Sequence, residues 1–191
     1  GEDTLSLHDA LPIYGDLDCF IVNNSPIPVN TLNYMNARNV RAENAPVADF
    51  LKGGGDHLYR NDNGKFVEVS EQAGIHGSLI SFGLGVTIGD VNNDGWPDVY
   101  VSNDFFERDY LYINQKNGTF KDDLEHCIAH NSIAAMGTDM ADVNNDGFPD
   151  IFTTEMLPDE DYRLKSTTAF ESIDVFRLKK SSDFHYQFMQ N

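Results

Sequence analysis

Oxygen-bearing side chains recur at one fixed spacing in two stretches of this chain, Asp90-Val91-Asn92-Asn93-Asp94-Gly95-Trp96-Pro97-Asp98 and Asp142-Val143-Asn144-Asn145-Asp146-Gly147-Phe148-Pro149-Asp150. Each places Asp or Asn at positions 1, 3, 5 and 9, and Gly at position 6, where the chain must turn sharply. A hard cation such as Ca2+ takes roughly six to eight oxygens at about 2.3–2.6 Å, and a tight loop gathers carboxylates and a backbone carbonyl at little entropic cost. The spacing assigns Asp90, Asn92, Asp94 and Asp98, with the Trp96 carbonyl at position 7, to one calcium site. Asp142, Asn144, Asp146, the Phe148 carbonyl and Asp150 form a second. A metal-free hairpin turn is the bland alternative, and it leaves three carboxylates repelling one another within one short loop.

The flanks separate this loop from a helical EF-hand or a dockerin-like site. Position 12, where an EF-hand supplies a bidentate Glu, holds Val101 and Thr153. Each loop leads into a β-branched and aromatic run, Val99-Tyr100-Val101 or Ile151-Phe152-Thr153, and Val86-Thr87-Ile88 precedes the first. Such runs read as short buried strands, so each loop joins two strands. Trp96 and Phe148, each followed by Pro on one side of the turn, also read as aromatics that pack on their own loops.

These residues resemble the FG-GAP or VCBS repeats that build β-propellers, as in integrin α-subunits and many bacterial secreted proteins. The stretch Gly83 to Asp98, the strand after it and the Leu-Tyr-x-Asn…Asn-Gly-x-Phe signature carry the resemblance. The run from Met136 through Met156-Leu157-Pro158 and Tyr162-Arg163-Leu164-Lys165 to Gln187-Phe188-Met189-Gln190-Asn191 is similar to proteins that carry an ASPIC/UnbV module after their propeller, relatives of cartilage acidic protein. No such module lies in this sequence. The resemblance implies an all-β fold of four-stranded blades, typically seven in a closed propeller.

The repeat register sets out the blades. One whole blade takes strand A at about 84–89, B at 98–102, C at 109–114 and D at 119–122, after the Asn117-Gly118 turn. An earlier blade has B at 18–23, C at 57–61 and D at 65–69, turned by Asn63-Gly64, and lacks strand A. A later one has A at 136–141, B at 150–154 and a candidate C at 185–191. The expected fold is thus an incomplete propeller, one full blade flanked by two partial ones, with units at 14–74, about 80–130 and 134–191. Tyr14-Gly15-Asp16-Leu17-Asp18 reads as the end of a third calcium loop, with Asp16 and Asp18 as its remaining ligands. Thr4 to Ile13 resembles the translation of a short-read sequencing adapter, so residues 1–13 read as an artefactual leader and the chain as a piece of a longer gene.

Two insertions of about thirty residues interrupt the pattern at one topological place, between strands B and C. Asn24 to Gly55, rich in Asn and Pro and closing in Gly53-Gly54-Gly55, reads as irregular with at most a short helix near 34–42. Glu155 to Phe184 opens with acids suited to a first helical turn and predicts a helix at about 159–169. If A–B hairpins carry calcium at one end of the blades, the B–C connections emerge at the other. Long loops on a rigid scaffold are where binding usually sits.

Composition agrees with an acidic soluble protein. Thirteen Lys and Arg against 31 Asp and Glu give a net charge of −18. That balance, without a Lys/Arg cluster, argues against nucleic acid, and no apolar run approaches the roughly 20 residues of a membrane span. No Ser-His-Asp set, P-loop or G-x-G-x-x-G is seen, and no catalytic residue is assigned. His126 and His130 lack a third ligand, Asn117-Gly118-Thr119 serves the hairpin turn despite matching a glycosylation sequon, and a Cys19–Cys127 disulfide stays open. The leading expectation is a calcium-stabilised propeller region of a secreted, periplasmic or cell-surface bacterial protein that binds a protein or glycan. The alternatives are the propeller of an extracellular enzyme and a structural spacer beside an ASPIC/UnbV module.

Overall fold

The computed structural model describes residues 6–11 (as backbone), 17–28, 38–105, 107–167, 173–182 and 184–188. Strands β1 (Ser6–Leu11), β2 (Asp18–Val22), β3 (His57–Asp62) and β4 (Lys65–Glu68) form one antiparallel sheet in that order. A second sheet follows the same meander with β5 (Gly83–Gly89), β6 (Asp98–Asn103), β7 (Tyr110–Asn114) and β8 (Phe120–Asp122). A third holds β10 (Gly137–Ala141) and β11 (Asp150–Thr154), after a short β9 (Asn131–Ser132). This is the mostly-β, incomplete propeller-like arrangement that the repeat implies.

Strand β6 shows why these residues form blades. All six of its residues are buried, as expected of a strand covered on both faces by other sheets. Successive side chains point to opposite faces. Val99 and Val101 join Phe20, Leu58 and Tyr112 in the core shared with the first sheet, whereas Tyr100 and Leu111 pack with Met140 and Ile151 of the third. Strand β5 is glycine-rich because neighbouring sheets meet there. A Cβ at Gly83 would lie 2.9 Å from Val22 Cβ of the first sheet, and one at Gly85 would lie 3.1 Å from Gly137 Cα of the third.

Three features depart from the sequence reading, and a fourth expectation lies largely outside the described residues. The first sheet has an outer strand after all, because β1 pairs with β2, with its register broken between Leu7 and Ala10. Any extended segment can satisfy the open edge of β2 through backbone hydrogen bonds. Residues 185–191 do not form strand C of the third sheet over their described part. Instead β12 (Gln187–Phe188) runs parallel to β9, pairing Gln187 with Asn131 and Phe188 with Ser132. The second insertion carries two helices, α3 (Asp161–Thr167) where one was expected and α4 (Ile173–Ser181) beyond it. The helix expected near 34–42 falls largely outside the described residues, and Ala42–Asn44 there is a 3-10 turn.

Two four-residue helices, α1 (Ser70–Ala73) and α2 (Leu124–Cys127), follow the outer strands of the first two sheets and lead to the next blade. Gly74, at φ 80°, closes α1 and lets the chain turn back. Cys19 is half-buried and Cys127 exposed, and both are free thiols.

Candidate metal centre

The two acidic loops are the β5–β6 and β10–β11 hairpin turns. They repeat one hydrogen-bond pattern atom for atom. In the first, Asp90 Oδ1 accepts the Asp94 N–H at 2.9 Å and Asp90 Oδ2 the Gly95 N–H at 2.7 Å. Asn92 Oδ1 also accepts from Asp94 N at 3.0 Å, Asp94 Oδ1 from Trp96 N at 2.9 Å, and Asp98 Oδ2 from Val91 N at 3.1 Å. In the second, Asp142 takes the N–H groups of Asp146 and Gly147, Asn144 that of Asp146, Asp146 that of Phe148, and Asp150 that of Val143. The backbone repeats as well: Asn93 and Asn145 sit at φ 56° and 62°, Gly95 and Gly147 at 85° and 90°. These left-handed pairs reverse the chain so that position 1 faces positions 5 and 6.

Among the described residues no three His, Cys, Asp or Glu side chains stand close enough together to hold a metal ion. Backbone N–H groups hold the carboxylates instead. The donor set nevertheless fits Ca2+. Every side chain in it is a hard oxygen donor, and a carboxylate oxygen that accepts one N–H keeps a second lone pair.

The surroundings of the two loops differ. Asp98 is wholly buried, and its Oδ1 accepts the Asn114 N–H at 2.8 Å, which ties the loop to β7. Asp18 is its counterpart in the first sheet, buried, with Oδ1 accepting from Asn61 N at 2.7 Å. That places Asp18 at position 9 of its repeat, as the register expects, while Asp16 lies outside the described residues. Asp150 is only half-buried, and its Oδ1 meets the Asn144 amide at 3.4 Å. Burial pushes the Asp98 carboxyl up, against its two backbone N–H bonds, and the Asp94 and Asp90 charges push it further. Asp94 bears a desolvation cost, yet Lys116, 3.2 Å from its Oδ2, and the Trp96 N–H hold it below its ordinary value. The position-7 aromatics part in the same way: Trp96 is half-buried and Phe148 exposed, so Phe148 does not pack as expected.

The opposite end of the sheets holds a buried polar network that the sequence reading missed. Asp109, just before β7, accepts the Tyr100 hydroxyl at 2.6 Å and the Asn103 N–H at 2.7 Å, and burial pushes it up to about 7. Asp56 stands at the same place before β3, fully buried, and is pushed up to about 8 by burial and then by Glu107. Asp122 lies well below its usual range: His76 and Arg108 favour its charge more than burial opposes it. The signal was present as a second repeat, Asp-x-Leu-Tyr, at Asp56 and Asp109. Both insertions reach this end. Arg38 of the first pairs with Glu107 at 2.7 Å, and Gln187, just past the second, donates to the Glu107 carbonyl at 3.0 Å. His126 pairs with Asp123, whereas the His130 ring meets Phe188, so the two histidines serve separate contacts.

Blade-like antiparallel sheets, packed side by side, with the same acidic turn between the first two strands of the second and the third, define an all-β repeat protein. The chain belongs to the FG-GAP-like repeat family, whose model matches residues 15–101 and 90–153. Integrin alpha-3 of Mus musculus is similar, 36% identical over 81 residues that cover 37% of this chain and 8% of that protein. Integrin alpha-7 of Homo sapiens is 37% identical over 81 residues, and integrin alpha-6 of Homo sapiens 33% over 94. The chain spans less than a tenth of the length of these relatives.

Proposed function

We propose that this chain is a calcium-stabilised β-propeller region of an extracellular or cell-surface protein, whose B–C end meets a protein or glycan partner. One observation carries the calcium reading: two separate hairpins adopt the same hydrogen-bonded loop and offer the same oxygen-only donor set. Asp90, Asn92, Asp94, Asp98 and the Trp96 carbonyl hold one ion. Asp142, Asn144, Asp146, Asp150 and the Phe148 carbonyl hold the other, and Asp18 with Asp16 belongs to a third loop. Each ion neutralises carboxylates that otherwise repel, and so favours the folded hairpin over the open chain.

The repeat units take 14–74, about 80–130 and 134–191 as their extents. Similarity to integrin alpha chains supports an extracellular scaffold role, and no catalytic residue is assigned. The partner-facing surface is the end where Arg38, Glu107 and Gln187 bring both insertions together, because long connections held on packed sheets can vary without disturbing the core. Thermal melting with millimolar calcium and then with chelator tests the metal role. Calcium should raise the melting temperature by several degrees, and a melt indifferent to chelator contradicts it. Binding to glycan and protein panels, lost on Phe50→Ala or Tyr162→Ala with the melt unchanged, would support the insertions as the contact surface, since both side chains are exposed.

A further inference from the structure

The two acidic loops touch. The Asn93 side-chain amide donates to the Gly147 carbonyl at 3.0 Å, across the gap between neighbouring sheets. Both ends of this bond lie between assigned ligands. Asn93 stands between Asn92 and Asp94, and Gly147 between Asp146 and the Phe148 carbonyl. Both residues are also in the left-handed region, at φ 56° and 90°, so the bond joins one of the two left-handed positions of each turn to one of the other's. Asn145 occupies position 4 of the second loop with the same φ, but its side chain makes no such bond among the described residues.

We infer that Asn93 couples the two calcium loops, so that an ion in one raises the affinity of the other. This rests on the calcium reading above. An ion held by Asp146 and the Phe148 carbonyl orders Gly147. An ordered Gly147 carbonyl then holds Asn93, and with it the spacing of Asn92 and Asp94, so that less ordering remains for the first loop's own ion. By linkage the effect runs equally in reverse. One exposed hydrogen bond sets its size at about two- to tenfold in affinity.

Calcium titration calorimetry on the whole chain tests this, with the second loop intact or disabled by Asp146→Ala. In the Asn93 chain, Asp146→Ala should weaken the remaining site about two- to tenfold. In the Asn93→Gly chain it should leave that site unchanged. Glycine accepts the left-handed backbone without strain, so this variant removes the amide and little else. Asn145→Gly makes the same backbone change without cutting the bridge, and should behave as the parent. Equal first-loop affinity with and without the second loop in the Asn93 chain overturns the coupling while leaving the metal sites standing. Coupling that survives in Asn93→Gly overturns the role of Asn93. No calcium heat in any variant removes the metal reading itself, and the coupling with it.

Discussion

The loops at Asp90–Asp98 and Asp142–Asp150 share one sequence pattern and one hydrogen-bond pattern, yet they are not equally anchored. The first is flanked by a complete four-stranded sheet. Its Asp98 is buried, receives a β7 N–H as well as one from its own loop, and its Asp94 meets Lys116 of the β7–β8 hairpin. The second belongs to a sheet of two strands among the described residues, and its Asp142, Asn144 and Asp146 are exposed. A local pattern therefore suffices to shape the turn. The strands beyond it decide how much the turn contributes to the fold.

The largest expected effect follows from that contrast. Asp98→Ala strands the buried Asn114 N–H and the partly buried Val91 N–H, and should cost about 2–4 kcal/mol in urea denaturation with chelator present. Asp150→Ala should cost less than about 1 kcal/mol, since its partners reach water. Equal costs would erase the distinction between the loops.

Burial should also divide the acids by pH. The folded carboxyls of Asp56 and Asp109 sit at about 8 and about 7, above an unfolded value of roughly 3.9. Between roughly pH 4 and 8 the folded state therefore binds more protons than the unfolded one, and stability falls as pH rises. In chelator, unfolding free energy should drop by more than about 1 kcal/mol from pH 5 to 8, and Asp56→Asn should flatten the slope. Asp122 acts oppositely: its lowered value adds stability above roughly pH 4 that is lost on acidification. A flat profile in the parent chain would mean that Asp56 and Asp109 are hydrated.

The smallest effect concerns Lys116, an internal cation beside one ligand of the first loop alone. Measured in the Asn93→Gly chain, where the loops are uncoupled, Lys116→Gln should tighten calcium in the first loop about two- to fivefold by freeing Asp94, and leave the second unchanged. A matching change in both loops would show a general charge effect instead.

Much of the fold was legible because its periods are local. Strands β5 to β8 lie within a residue or two of the register drawn from Gly83, Asp98 and Asn117-Gly118, and so do β10 and β11. Position 9 was legible at Asp18 too, from Gly15-Asp16-Leu17-Asp18 alone. Four-residue helices such as α1 and α2 are too short to show a helical period. The pairing of β12 with β9 is non-local, and the alternation in Gln187–Phe188 suits either edge. At the buried end, Asp56 and Asp109 share the Asp-x-Leu-Tyr repeat, which marks them as equivalent, but only packing shows their burial. The Asn93–Gly147 bridge was illegible for the same reason, since it depends on how two sheets sit side by side.

Calcium stoichiometry tests the central claim most directly, measured by titration calorimetry on the whole chain with Asp94→Ala and Asp146→Ala beside it. The account predicts that each variant loses one site and keeps the other, with parent affinities of about 10⁻⁴–10⁻³ M, as in extracellular modules. A stoichiometry that neither substitution changes would contradict it.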